Sequence, residues 1–141
     1  MNDTNRLLLD THVWIWLLNG NQDKLSADII NTIETASQKD AICISAISLW
    51  EVAMLASKNR VKFPIGCKRW LQQALNAPGI ELIPITPEIA VDSTMLPGDF
   101  HGDPADRLIT ATARQIQATL LTRDNKILRY AKSGNVNVMA C

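Results

Sequence analysis

The chain lacks the residues that special scaffolds are made from. Its three cysteines, Cys43, Cys67 and Cys141, make no CxxC pair and no Cys/His ligand spacing, which argues against a structural zinc site. Being odd in number and far apart, they also do not read as a disulfide framework, and they fit a reducing cytosol. Aromatics are 5% of the chain, and six glycines and six prolines are too few for a fibrous or low-complexity protein. There is no long hydrophobic run: the stretch from Leu7 to Leu18 is short and broken by Asp10 and His12, whereas a membrane span needs about 20 apolar residues. The basic start and small-residue cleavage site of a signal peptide are missing too. The expectation is a soluble, cytoplasmic protein that does not enter a membrane.

Net charge is absent as well, with 14 basic residues against 14 acidic ones. That balance hides an asymmetry. Residues 1–56 hold three basic and seven acidic side chains, and residues 57–141 hold eleven basic and seven acidic ones. An acidic site with a basic rim is compatible with a zero sum, because only the rim need meet phosphates.

What is present is an ordinary globular composition, 47% apolar over 141 residues, with no repeats and no linker. One domain over 1–141 is expected. Short apolar runs alternate with segments of helical period. Strands are expected at Leu7–Leu9, Ala41–Ile44, Ile80–Ile85, Ala118–Thr122 and Val136–Met139. Helices are expected over Thr11–Leu18, from Ser26, from Ser48 through Leu55, around Trp70–Leu75, from Pro87 to near Leu96, from Asp103-Pro104 to Ile116 and over Asn125–Ala131. Apolar strands without polar alternation, separated by helices, indicate an α/β fold: a three-layer α/β/α sandwich around a mostly parallel five-stranded sheet. Function in such sheets gathers at the carboxyl ends of the strands.

Several acids fall there. Asp10 follows the first strand and Asp124 the strand ending at Thr122. Glu51 is the sole charged residue between Ala41 and Ala56, and burying a lone carboxylate is costly unless it faces a polar cleft, a partner or a cation. The other acids have simpler readings as well. Asp10 and Asp124 suit helix N-caps, Asp103 before Pro104 is a helix-start signal, and Asp106 suits a first turn. Together, however, carboxylates brought into one crevice cannot all remain ionised without a cation. Hard oxygen donors favour Mg²⁺, with Mn²⁺ as a substitute. Such an ion, singly or as a pair, promotes phosphodiester hydrolysis.

At these residues the chain resembles the PIN-domain nucleases, and among them the VapC toxins of bacterial toxin–antitoxin pairs. The motifs are Leu-Leu-Asp-Thr-His-Val-Trp at 8–14, Ser-Ala-Ile-Ser-Leu-Trp-Glu-Val at 45–52, His-Gly-Asp-Pro-Ala-Asp-Arg-Leu-Ile at 101–109 with Ala-Thr-Ala at 111–113, and Leu-Leu-Thr-Arg-Asp-Asn-Lys-Ile at 120–127. The resemblance implies a PIN-like fold and a Mg²⁺-dependent endoribonuclease. It implies that Asp10, Glu51 and Asp106 are core metal ligands and that Asp124 is a ligand often acting through water. Asp103 and Thr122 would sit just behind them. It also implies a cognate antitoxin whose C-terminal segment reaches the acidic site, an RNA substrate and a homodimer. Arg107 and Arg123 adjoin proposed ligands and are candidate phosphate contacts, within a basic set that includes Arg114, Lys126 and Arg129. His12 and His101 carry no assigned role. Of Trp14 and Trp16, two apart on one helix, one should face away from the core, where tryptophan often anchors an interface.

A PIN-like module that binds without cleaving is the alternative. A receiver-type signalling domain fits poorly: it expects paired acids after strand one, an acid after strand three and a lysine after strand five. Here a single Asp10 follows strand one, Pro84-Ile85 follows strand three, and no lysine follows Val136.

Overall fold

Leu7 and Leu9 face one apolar core and Leu8 the other, as the two-residue period of a strand requires. The computed structural model describes residues 6–141; residues 1–5, the start of the domain expected over 1–141, lie outside the described residues. In chain order the elements are β1 (Leu7–Leu9), α1 (Thr11–Leu18), a 3₁₀ turn at Gln22–Lys24, α2 (Ala27–Gln38), β2 (Ile42–Ser45), α3 (Ala46–Ser57), α4 (Cys67–Leu75), β3 (Ile80–Ile83), α5 (Pro87–Thr94), α6 (Pro104–Ile116), β4 (Thr119–Thr122), α7 (Asn125–Ala131) and β5 (Val138–Ala140).

All four strand pairings are parallel, in the order β3-β2-β1-β4-β5. Parallel neighbours need crossovers, and the helices supply them on both faces. Val13, Trp14 and Ile15 of α1, Ile29 and Ile33 of α2, Val52 and Leu55 of α3, and Trp70 and Ala74 of α4 pack with Leu7, Leu9, Ile42, Ile44 and Leu121. On the other face, Ile89 of α5, Ile109 of α6, and Ile127 and Tyr130 of α7 pack with Leu8, Cys43, Ile83 and Leu120. This is the expected three-layer α/β/α sandwich.

The strand order fixes where a site can form. From β1 the chain steps outward through β2 to β3, then returns to the far side of β1 as β4. The direction reverses between β1 and β4, so their carboxyl ends splay into a crevice. A receiver-type sheet runs 2-1-3-4-5, and the order here rules that reading out. Among the described residues no helix is long and apolar enough to cross a membrane.

Several boundaries differ from the sequence expectation. The helix expected from Ser48 begins at Ala46, because Ser45 has extended backbone and its hydroxyl accepts the Ile47 N–H. Ser48 is instead fully buried within that helix. The strand expected to reach Ile85 stops at Ile83, since Pro84 has no N–H for the ladder. The last strand begins at Val138 rather than Val136, where pairing with Leu120 begins. β3 is an edge strand with Glu81 and Leu82 exposed, so burial on both faces holds for the inner strands only.

Candidate active site

Asp10 leaves β1 directly into α1. Its backbone is extended and its Oδ1 accepts the Thr11 N–H at 2.8 Å. The capping role and a role in the site are therefore compatible, because the same carboxylate is buried at the crevice. Its second oxygen, Oδ2, accepts the Thr122 hydroxyl from the end of β4 at 2.6 Å. Thr122 in turn accepts the Asp124 N–H at 3.0 Å. One buried hydroxyl thus joins the ends of β1 and β4.

Glu51 comes from the middle of α3. Its Oε1 accepts the Thr11 hydroxyl at 2.5 Å. Thr11 Oγ1 also lies 2.8 Å from Ser48 Oγ. Its single proton goes to Glu51, so Ser48 must be the donor to Thr11. Thr11 therefore holds two carboxylates, Asp10 through its N–H and Glu51 through its hydroxyl.

Asp103 and Asp106 enter with α6. Asp103 is the N-cap, its Oδ1 accepting the Asp106 N–H at 2.9 Å, and Pro104 takes the first helical position. Asp106 is half-buried in the first turn, and among the described residues no hydrogen bond reaches its carboxylate. Asp124 caps α7, its Oδ1 accepting from the Lys126 and Ile127 N–H groups.

These acids line one cavity of about 430 Å³: Asp10, Glu51, Asp103, Asp106 and Asp124, with His12, Val13, Trp16, Arg123 and Lys126. Burial and mutual repulsion leave their mark. Asp106 is pushed up to about 7, first by burial and then by Asp103, Asp124, Asp10 and Glu51. Burial raises Asp10, partly offset by the Thr122 and Thr11 hydrogen bonds. Burial also raises Glu51, against the bond from Thr11, with Asp10, Asp103 and Asp124 adding to the rise. Each of these carboxylates holds its proton more tightly than a free one.

The donor set suits a hard divalent cation, being all carboxylate oxygen with crowded negative charge. Among the described residues the acids do not close into a ready-made metal cage; they ring an open cavity.

The two candidate phosphate-binding arginines part company. Arg107 is not at the cavity. Its Nε donates to the Ser93 carbonyl at 2.8 Å and its Nη1 to the Phe100 carbonyl at 3.0 Å, with the guanidinium 6.0 Å from the Phe100 ring. A short tether explains this: Gly102 sits so close that a Cβ would meet the Phe100 ring at 2.5 Å and the Asp106 Cβ at 2.9 Å. That folds the 97–103 loop back onto the start of α6. Arg123 does line the cavity. His12 also lines it, whereas His101 is exposed and not part of the lining. Trp14 is fully buried, whereas Trp16 is half-buried, packed against the same core and also lining the cavity, so neither points wholly away from the core. Arg114 is committed to Asp92 and to the Asn135 carbonyl.

Sequence reasoning missed the hydroxyl set of Thr11 and Ser48. A signal existed: Ser48 and Glu51 are three apart, so they share a helix face, and Thr11 directly follows Asp10.

The PIN domain family model matches residues 7–133. Ribonuclease VapC22 of Mycobacterium tuberculosis is 39% identical over 132 residues, covering 94% of this chain and 97% of that protein. Among solved structures, VapBC2 of Rickettsia felis bound to a promoter DNA fragment has a TM-score of 0.71 at 22% identity, over 95% of this chain and 97% of the other. DNA-bound VapBC of Salmonella typhimurium has a TM-score of 0.71 at 14% identity, over 96% and 98%. A toxin–antitoxin complex of Klebsiella pneumoniae has a TM-score of 0.63 at 24% identity, over 94% and 95%.

Proposed function

This chain belongs to the PIN-domain family, and from that premise we propose that it is a divalent-cation-dependent endoribonuclease, the toxin of a toxin–antitoxin pair. The carrying observation is the convergence of Asp10, Glu51, Asp106 and Asp124, from four separate stretches of chain, on one cavity where the sheet reverses direction. Those four side chains are the proposed holders of Mg²⁺ or Mn²⁺. When bound, such an ion supplies a Lewis acid that lowers the pKa of a water and stabilises charge on the phosphodiester.

The chain's own residues do the rest. The Thr11 hydroxyl donates to Glu51, and the Thr11 N–H and Thr122 hydroxyl each donate to one oxygen of Asp10, which fixes both carboxylates in rotation while each bonded oxygen keeps a further lone pair. Asp103 holds the first turn of α6 and adds negative charge beside Asp106. Lys126 and Arg123 line the same cavity and supply positive charge for the substrate. The ribonuclease relative supports RNA as substrate. The similar toxin–antitoxin structures support a protein antitoxin. A cytoplasmic location and a homodimer complete the reading.

The test is cleavage of total RNA by purified protein with Mg²⁺ or Mn²⁺, with the new ends sequenced. Asp10→Asn and Asp106→Asn should each lower cleavage more than about 100-fold, since loss of a ligand should cost more than loss of its supporting partner. Metal-free melting temperature should stay the same or rise for Asp106→Asn, because one of several crowded charges is gone. It should fall for Asp10→Asn, whose single amide oxygen can accept from only one of the Thr11 N–H and the Thr122 hydroxyl. Variants that unfold yet keep specific activity sink the assignment.

A further inference from the structure

We infer that Arg123, held over the Trp16 ring, is the seat for a nucleobase of single-stranded RNA beside the carboxylate cavity; this rests on the ribonuclease reading and names how its substrate is gripped. The Arg123 guanidinium lies 4.6 Å above the Trp16 ring. Its Nε donates to the Cys141 carbonyl at 2.9 Å and its Nη2 to the Lys24 carbonyl. Lys24 Nζ is 5.6 Å from the same ring, and the His12 ring is 6.0 Å away at 48°. Two carbonyls and an indole fix the plane of a side chain that is otherwise costly to order.

That cation is not spent on the acids. Arg123 and Lys126 share the cavity with five carboxylates, yet among the described residues neither forms an ion pair with any of them. A side chain whose task was to neutralise those acids would bridge them. Arg123 is an exposed residue lining the cavity, so a strand lying there can reach its guanidinium. A planar, weakly hydrated cation backed by an aromatic ring is a stacking surface, and unstacked RNA bases dock on such planes. Arg123 at the β4–α7 junction and Trp16 of α1 line the same cavity as Asp103 and Asp106 of α6 and as Asp10 and Asp124. A base on Arg123 therefore leaves its own phosphate beside the acids. Stacking accepts every base, so this seat sets where the strand lies rather than which sequence is cut.

The test is binding of a fluorescein-labelled oligouridine decamer and of an abasic decamer of the same length, measured by anisotropy in EDTA so that nothing is cleaved. Wild type should bind the base-bearing strand roughly fivefold or more tightly than the abasic one. Arg123→Lys keeps the charge and loses the plane, so that ratio should fall to about one while abasic affinity stays within about twofold. Arg123 variants also free two carbonyls, so Trp16→Leu, which leaves those bonds in place and removes the backing ring, should independently lower the ratio. Equal affinity for both strands in wild type would mean a plain phosphate contact and overturns the seat. A ratio that survives in both variants overturns it as well. Base preference without cleavage in Mg²⁺ or Mn²⁺ would leave the seat standing and remove the nuclease, and cleavage without base preference would do the reverse.

Discussion

A single hydroxyl shows how tightly the site is wired. Thr122 is fully buried, donates to Asp10 Oδ2 and accepts the Asp124 N–H. Thr122→Val keeps the shape and strands both partners, so urea unfolding should show a loss of about 1–3 kcal/mol. The effect on metal has a definite sign. Burial already raises the Asp10 pKa, and the Thr122 bond is the largest opposing influence. Without it Asp10 holds its proton more tightly, and a cation must displace that proton to bind. Mn²⁺ affinity near neutral pH should therefore fall about 10- to 100-fold, as losses of supporting partners generally do. Calorimetric titration checks it, and unchanged affinity would mean that Asp10 is no ligand.

At the scale of elements, Arg107 is a brace across α5, the 97–103 loop and α6. It ties the Ser93 and Phe100 carbonyls to the first turn that carries Asp106, and Tyr130 backs the loop by donating to the Pro97 carbonyl at 2.6 Å. Arg107→Met should cost about 1–3 kcal/mol by stranding those carbonyls and lower cleavage by loosening Asp106. The salt dependence of RNA binding should not change, because no phosphate contact is lost; a shallower slope would restore the phosphate role. None of this was legible in the sequence, where Arg107 simply adjoins Asp106. The acids were legible because each opens or interrupts an apolar element, and the start of α6 was legible because Asp103-Pro104 admits few other conformations. Where two serines competed, at Ser45 and Ser48, the local signal did not discriminate; contact with Thr11, 37 residues away, claimed Ser48 for the interior. Strand ends were settled by the neighbouring strand, as Val138 was by Leu120. Such partners are set by the whole fold and leave no local trace.

For the molecule as a whole, crowded acids make stability depend on pH and metal in linked ways. Asp106 titrates at about 7 in the native protein against an ordinary value of 3.8. Between those values the folded state binds more protons than the unfolded one, so stability falls as pH rises through that window and levels off above the native value. Asp10 and Glu51 are raised as well and act in the same sense. Metal-free protein should thus melt at a lower temperature at pH 8 than at pH 5.5, and Asp106→Asn, which has nothing to titrate there, should show a shallower decline. A divalent cation favours the charged carboxylates, so its stabilisation of the native state should grow as pH rises. Saturating Mn²⁺ should consequently raise the melting temperature more at pH 8 than at pH 6, and Glu51→Gln should blunt that rise. Equal rises in wild type and Glu51→Gln would remove Glu51 from the metal's ligands, and a rise that shrank with pH would place the cation somewhere other than these acids.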